Sequence, residues 1–212
     1  MERSITVGDI FAETSRLFSE NAGLAIGSVG GLTVLNMLTD LGRLGNGANL
    51  LSAIVSMGLQ YWLIRQMLEQ RGMLDGRAGF GSFFGVNFLS GLAILLGFLL
   101  LIVPGVFLAA RWSAADAALL SEGEGVSAAL GKSWEMTAPH VWSIVGTLLV
   151  VYVPAFALGM GLSISMGDAM PILISGIANL AVFTGSVVAW LMGVAVYTLL
   201  QPGTDMLADV FA

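Results

Sequence analysis

Long apolar stretches alternate with short charged segments along this chain of 212 residues. Windows without Asp, Glu, Lys or Arg cover residues 21–39, 44–64, 78–110, 136–167 and 169–204. A helix rises about 1.5 Å per residue, so roughly 20 apolar residues cross a hydrocarbon core of about 30 Å. The pattern therefore predicts an all-α fold, an integral membrane bundle of transmembrane helices.

The third window is too long for one crossing, because its 33 residues would form a helix of roughly 50 Å. Pro104 and Gly105 are predicted to break it, since proline removes a backbone donor and glycine permits a sharp turn. The windows then predict about six transmembrane helices, near residues 22–41, 46–66, 83–103, 105–121, 139–162 and 171–200.

Two further stretches, 6–20 and 125–138, place apolar residues on one helical face and polar residues on the other. This periodicity is typical of amphipathic helices that lie in the membrane interface. A span follows each of them, at an offset of about 116 residues that aligns Gly30 with Gly146. An internal parallel repeat is one interpretation of this order, and chance similarity is the other. We treat residues 1–212 as a single membrane domain.

Composition supports a membrane protein and excludes several kinds of site. Hydrophobic residues make up 57% of the chain and charged residues 10%, against about 25% charged in ordinary soluble domains. Cysteine is absent and His140 is the one histidine, so we expect no metal site and no cofactor. The net charge of −6 argues against nucleic acid as a partner. No catalytic constellation can be assembled, and we expect the protein not to be an enzyme.

The distribution of basic residues predicts the orientation. In the six-span arrangement one side of the membrane carries Arg3, Arg16, Arg65, Arg71, Arg77 and Lys132, whereas the other carries Arg43. Cytoplasmic loops are rich in Lys and Arg. Both termini are therefore expected in the cytoplasm, in a multi-pass protein of the inner (plasma) membrane.

Arg111 is the candidate site residue that the sequence singles out most clearly. It falls near the middle of the predicted fourth span, where a charged side chain costs about 2.5–3.5 kcal/mol or more. One interpretation is a buried cation that binds an anionic group and is tuned by Asp116, in the same helix. The alternative is a structural ion pair or an arginine that reaches the interface.

Three neighbours complete the candidate ligand-binding set: Trp112, Trp134 and Glu135. Trp134 and Glu135 lie in the second amphipathic stretch and either contact the site around Arg111 or form an interface anchor with a solvated carboxylate. Trp112 has the same two interpretations.

Small residues predict where helices pack closely. Gly23, Gly27 and Gly31 form two overlapping G-x-x-x-G steps on one face of the first span. Such a face serves either a dimer or packing within the bundle. Pro104 and Gly105 are expected to shape the contact between the third and fourth spans.

The order of motifs in this region resembles a known family. The segment IVPGVFLAARW ends at Trp112 and is followed by EGEGVSAALGKSWEMTAPHVW, an order similar to the membrane-domain family named after glycerophosphodiester phosphodiesterases. The resemblance implies a polytopic membrane domain without the soluble catalytic domain, and no activity. Its pattern falls on Pro104, Gly105, Arg111, Trp112, Glu122, Gly123, Ser133, Trp134 and Glu135.

Two functions from different classes follow. The first is binding or transport of a lipid or another anionic amphiphile at Arg111, with membrane lipids as partners. The second is a scaffold that recruits a membrane-protein partner or another copy of the chain, in which the buried charges are structural.

Overall fold

A computed structural model describes residues 5–40, 47–166 and 171–201, and every regular element in these ranges is helical. A short 3-10 turn, Ala138–His140, separates the seventh and eighth helices. The helices are α1 (Val7–Glu20), α2 (Ala22–Asp40), α3 (Ala48–Gln70), α4 (Phe80–Leu100), α5 (Ile102–Arg111), α6 (Ala115–Glu122), α7 (Val126–Thr137), α8 (Val141–Met166) and α9 (Ile172–Leu200). Residues 41 and 46, which end or begin predicted spans, lie outside the described residues, as do Arg3 and Arg43.

Five helical segments of the described residues are long and apolar enough to cross a membrane: Ala22–Asp40, Phe80–Leu100, Ile102–Glu122, Val126–Leu162 and Ile172–Leu200. The chain is therefore an all-helical protein with a membrane-compatible architecture. The second predicted span forms α3, which is not among these five segments; a larger share of its 23 residues is polar than in the other five predicted spans. Two of these polar side chains are held inside the bundle, because Ser52 accepts a hydrogen bond from Asn36 and Gln60 donates one to Asp116.

Helix α9 occupies the centre of the bundle and packs against α1, α2, α3, α6, α7 and α8. Every residue from Leu191 to Thr198 is buried. Other helices cover this segment on all sides. A helix in such a position needs no polar face, which agrees with its apolar sequence.

Helices α4 and α5 form a tight hairpin. The break lies at Leu101, three residues before the predicted position, and Pro104 sits in the first turn of α5. A proline is tolerated there because the first backbone N–H groups of a helix have no intrahelical acceptor. Gly97 and Gly105 face each other so closely that a Cβ added to Gly97 would lie 2.9 Å from the Gly105 Cα.

The predicted helix 105–121 is divided in two, since residues 112–114 form a turn between α5 and α6. Gly193 of α9 approaches this turn, and a Cβ at Gly193 would lie 2.5 Å from the Ser113 carbonyl oxygen. The central helix thus supports the segment that carries Arg111, Trp112 and Asp116.

Helix α1 begins with a reciprocal capping box, in which the Asp9 backbone N–H donates to the Thr6 hydroxyl and the Thr6 N–H donates to the Asp9 carboxylate. Its polar face is anchored to the end of α3, where Arg71 forms ion pairs with Glu13 and Glu20. Burial alone would raise the pKa of Glu13, but the hydrogen bonds and charges of Arg71 and Arg16 outweigh burial and hold that pKa below its ordinary value.

Candidate functional site

Arg111 is the last residue of α5, and its backbone ties α5 to α7. Its carbonyl oxygen accepts hydrogen bonds from the Ser133 hydroxyl at 2.8 Å and the Thr137 hydroxyl at 3.0 Å. Ser133 and Thr137 are one helical turn apart on the same face of α7, which explains why both reach one acceptor. A carbonyl in the last turn of a helix has no intrahelical partner, so α7 supplies the missing donors.

Arg111 is a buried residue, with 6% of it exposed, and the Nε atom of its guanidinium is fully buried. The guanidinium carbon lies 4.2 Å from the ring centroid of Trp134 and 5.9 Å from that of Phe107. Among the described residues it forms no ion pair, and its buried Nε atom has no hydrogen-bond partner. Stacking on tryptophan stabilises a cation by about 0.5–2 kcal/mol, and no carboxylate adds to it. A guanidinium without a counter-charge or a full set of hydrogen-bond acceptors can bind an anion.

Two aromatic rings lie beside the guanidinium, and a third packs against one of them. Phe107 meets Trp134 edge-on at 6.0 Å between centroids, and Trp112 lies 5.9 Å from Trp134. Phe107 is one turn before Arg111 on α5, on the same helical face. Trp134 remains 37% exposed, so one indole stacks on the cation and also reaches the exterior.

Glu135 does not join this cluster. It follows Trp134 on α7 but is exposed, and it forms no ion pair with Arg111 in the part of the chain that the structure describes. Successive helical residues point about 100° apart, which explains why Trp134 turns inward over Arg111 and its neighbour does not. Of the five sequence-predicted residues, the structure brings together Arg111, Trp112 and Trp134.

Asp116 lies in a separate site. Its two carboxylate oxygens each accept a hydrogen bond at 2.8 Å, Oδ2 from the Gln60 amide on α3 and Oδ1 from the Asn87 amide on α4. The described residues place no ion pair between Asp116 and Arg111. Asp116 was expected to tune Arg111, but the described residues show no direct contact between the two side chains.

A partly open cavity of about 280 Å³ adjoins Asp116. Asp116 is the one charged side chain among its lining residues, and Arg111 is not part of the wall. Three aromatic residues contribute to the lining: Trp112, Tyr152 and Trp190. Trp112 is shared, since it lines this cavity and also packs against the Trp134 ring that covers Arg111.

Gln60 and Asn87 were not among the residues that the sequence singled out. The available signal was Asn87, the one carboxamide in the window 78–110, and Gln60, one of three carboxamides in the window 44–64. A buried amide requires a partner, but periodicity does not show which helix supplies it.

The glycine face of α2 is not used for packing within the described residues. Gly23, Gly27 and Gly31 are exposed, and a Cβ added to any of them would meet no atom within 4 Å. Close helix contacts occur instead at Gly97, Gly105 and Gly193. Two roles were predicted for the α2 glycines, a dimer contact and packing inside the bundle. The described residues provide no contact for the second of these roles.

No family model, curated protein or solved structure matches this chain. The resemblance to the membrane-domain family named after glycerophosphodiester phosphodiesterases therefore stays a prediction.

Proposed function

We propose that this is a non-enzymatic membrane protein that binds or transports a lipid or another anionic amphiphile, with Arg111 contacting the anionic group. The observation that carries the proposal is a buried arginine that forms no ion pair with the described carboxylates and whose buried Nε atom has no hydrogen-bond partner among the described residues. An arginine fork presents parallel N–H donors that match a phosphate or carboxylate. An anion at this position would supply the charge that the protein itself does not.

The depth of Arg111 is the second part of the proposal. The hydrogen bonds from Ser133 and Thr137 require Arg111 and α7 to lie at the same level. Helix α7 also carries the exposed Glu135 and the partly exposed Trp134, and such side chains favour the headgroup region over the hydrocarbon core. Arg111 is the tenth of the 21 residues of Ile102–Glu122, and we therefore infer that α7 brings the cytoplasmic headgroup region towards it, so that a lipid phosphate can reach Arg111 from the side of the exposed Trp134.

The proposed topology has six crossings, with α3 as the second and α5–α6 as the fourth, and with both termini in the cytoplasm of a bacterial-type inner membrane. Helices α1 and α7 lie in the cytoplasmic interface. The basic residues Arg16, Arg65, Arg71, Arg77 and Lys132 support this arrangement, because they fall on one side of it.

The internal repeat and the family resemblance belong to the same proposal. The repeat is supported by order: an amphipathic helix precedes a long apolar helix in α1–α2 and again in α7–α8. Phe18 and Trp134, which align in the repeat, are exposed to similar extents, 40% and 37%. The family resemblance is supported by contacts among its positions, since Arg111, Trp112, Ser133 and Trp134 meet in one cluster.

A scaffold is the second candidate function. It is favoured by the exposed glycine face of α2, where Gly23, Gly27 and Gly31 leave the backbone accessible to another helix. Glycine faces let helices approach closely in membranes. The partner would be a second copy of the chain or another membrane protein.

Thermal unfolding in an uncharged detergent tests the binding proposal, with phosphatidylglycerol as the anionic probe and diacylglycerol as its uncharged control. A ligand present at 100 times its Kd stabilises the folded state by about 2.7 kcal/mol. We expect phosphatidylglycerol to stabilise the wild type by this order and Arg111→Met by much less.

Arg65→Met is the matched control. Arg65 also lies over an aromatic ring, with its guanidinium carbon 6.0 Å from the Tyr61 centroid, but it donates a hydrogen bond to the Tyr61 hydroxyl. This variant should keep the full response to phosphatidylglycerol. An equal response in Arg111→Met and the wild type would contradict anion binding at Arg111.

A further inference from the structure

Asp116 is a carboxylate whose hydrogen bonds come from neutral groups. Gln60 and Asn87 each donate one, and none of the described residues that line the adjoining cavity is Lys, Arg or His. A carboxylate offers about four lone-pair directions over its two oxygens. The two amides occupy one on each oxygen, so further acceptor capacity is left at both oxygens.

The amides also orient the carboxylate. They come from α3 and α4, while Asp116 stands in the first turn of α6. Three helices therefore fix one acidic group from different directions. Two donors, one on each oxygen, match the charged form of a carboxylate, and it is in this form that Asp116 would attract a cation in the cavity.

The other residues that line the cavity indicate which kind of cation it would bind. Trp112, Tyr152 and Trp190 contribute aromatic surface, and most other lining residues are aliphatic or small. Metal cations such as Ca²⁺ and Mg²⁺ favour sites built from several oxygen ligands, often more than one of them a carboxylate, whereas Asp116 is the one carboxylate among the described residues of this wall. An organic ammonium group is attracted both by a carboxylate and by the faces of aromatic rings.

The size of the space fits such a group. One water molecule needs roughly 10–15 Å³, whereas this cavity offers about 280 Å³. There is room for an ammonium group with its alkyl substituents.

We propose that the cavity formed by Gln60, Asn87, Asp116 and the three aromatic residues binds an alkylammonium group, with Asp116 as its counter-ion. This goes beyond the anion site, because Arg111 does not line the cavity. The ammonium group belongs either to a free amine or to a lipid headgroup, and the two sources are separated experimentally.

The test is a fluorescence titration of the purified full-length chain in an uncharged detergent, since Trp112 and Trp190 lie in the cavity wall. The probes are choline, ethanolamine and dimethylbutanol, the uncharged carbon isostere of choline. We expect saturable binding of at least one of the two ammonium probes, about tenfold or more tighter than that of dimethylbutanol. Equal binding of the ammonium compounds and the alcohol, or no binding, would overturn the proposal.

Two variants localise the binding. Asp116→Asn removes the charge with little change in shape, and Ala189→Leu keeps the charge but fills part of the cavity that Ala189 lines. Each should weaken ammonium binding about tenfold or more, whereas Glu135→Gln, an exposed carboxylate outside the cavity, should not. If Asp116→Asn does not fold, Ala189→Leu decides: unchanged binding in that variant would refute the site.

The same titration separates the sources and the two sites. Competition of lipids with choline or ethanolamine headgroups against the soluble probe would assign the site to a headgroup, and absence of competition would assign it to a free amine. Arg111→Met should retain ammonium binding and lose the phosphatidylglycerol response, while Asp116→Asn should show the reverse. Failure of either site is thereby distinguished from failure of the other.

Discussion

Substitution of Gly193 by alanine tests whether α9 supports the turn that carries both candidate sites. A Cβ at this position would lie 2.5 Å from the Ser113 carbonyl oxygen, a backbone atom. Because the contact is with a backbone atom, rotation of a side chain cannot relieve it. Either α9 must move away or the turn at residues 112–114 must shift. Overpacking of this kind typically costs about 1–3 kcal/mol.

Gly30→Ala is the matched control, because a Cβ at Gly30 meets no described atom within 4 Å. Both glycines are inside helices, and replacing a helical glycine by alanine contributes about 1 kcal/mol of helix propensity. This gain is the same at both positions to first order. The difference between the two variants therefore isolates the clash, and we expect Gly193→Ala to be less stable than Gly30→Ala by about 1–3 kcal/mol.

The assay is reversible unfolding in mixed micelles of increasing denaturing-detergent content, followed by circular dichroism. Gly193→Ala should also weaken binding at both Arg111 and Asp116, since Ser113 lies between them in the chain. Equal stabilities of the two alanine variants would refute the close approach of α9 to residues 112–114.

Three other predictions concern the surface and the topology. Because the pKa of Glu13 is lowered, its ion pair with Arg71 stabilises the fold at pH values above the ordinary glutamate pKa of about 4.5. This contribution should be lost as the pH falls. The unfolding free energy of Glu13→Gln should therefore fall less between neutral and acidic pH than that of the wild type. Gly27→Leu should not destabilise the monomer, because a Cβ there meets no described atom, but it should reduce chemical cross-linking between copies. Unreduced cross-linking would exclude the α2 glycine face as a self-association surface. The chain has no cysteine, so a single introduced cysteine reports which side of the membrane it faces. Gly47→Cys should react with an impermeant thiol reagent only from outside the cell, and Arg77→Cys only in inverted vesicles. The opposite pattern would contradict the proposed orientation.

Much of the helical architecture was accessible from the sequence because charge-free windows and the amphipathic period are local signals. Thr6 and Asp9 have the spacing of a capping box, a local signal for the start of a helix, and the structure has the corresponding hydrogen bonds at the start of α1. The hairpin break was displaced because Pro104 is compatible with the first turn of a helix as well as with the turn before it. The turn at residues 112–114 has no proline or glycine, so no local signal indicated it.

The candidate sites depend on contacts between distant segments. Arg111 was identifiable as a charge in an apolar region, but its neighbour Trp134 belongs to another helix and was one of several tryptophans with an ordinary interfacial explanation. The partners of Asp116 come from two further helices. The G-x-x-x-G spacing drew attention to Gly27, whereas the close contact is at Gly193, where a neighbouring backbone and not sequence spacing demands a small residue.

Lipid mass spectrometry on the gently purified protein tests directly whether Arg111 binds an anionic lipid, with wild type, Arg111→Met and Arg65→Met compared under the same conditions. Retention of a specific anionic lipid by the wild type and by Arg65→Met, and its loss from a folded Arg111→Met, is the result we predict. The same lipids in the same proportions on all three proteins would contradict anion binding at Arg111 and favour the scaffold function.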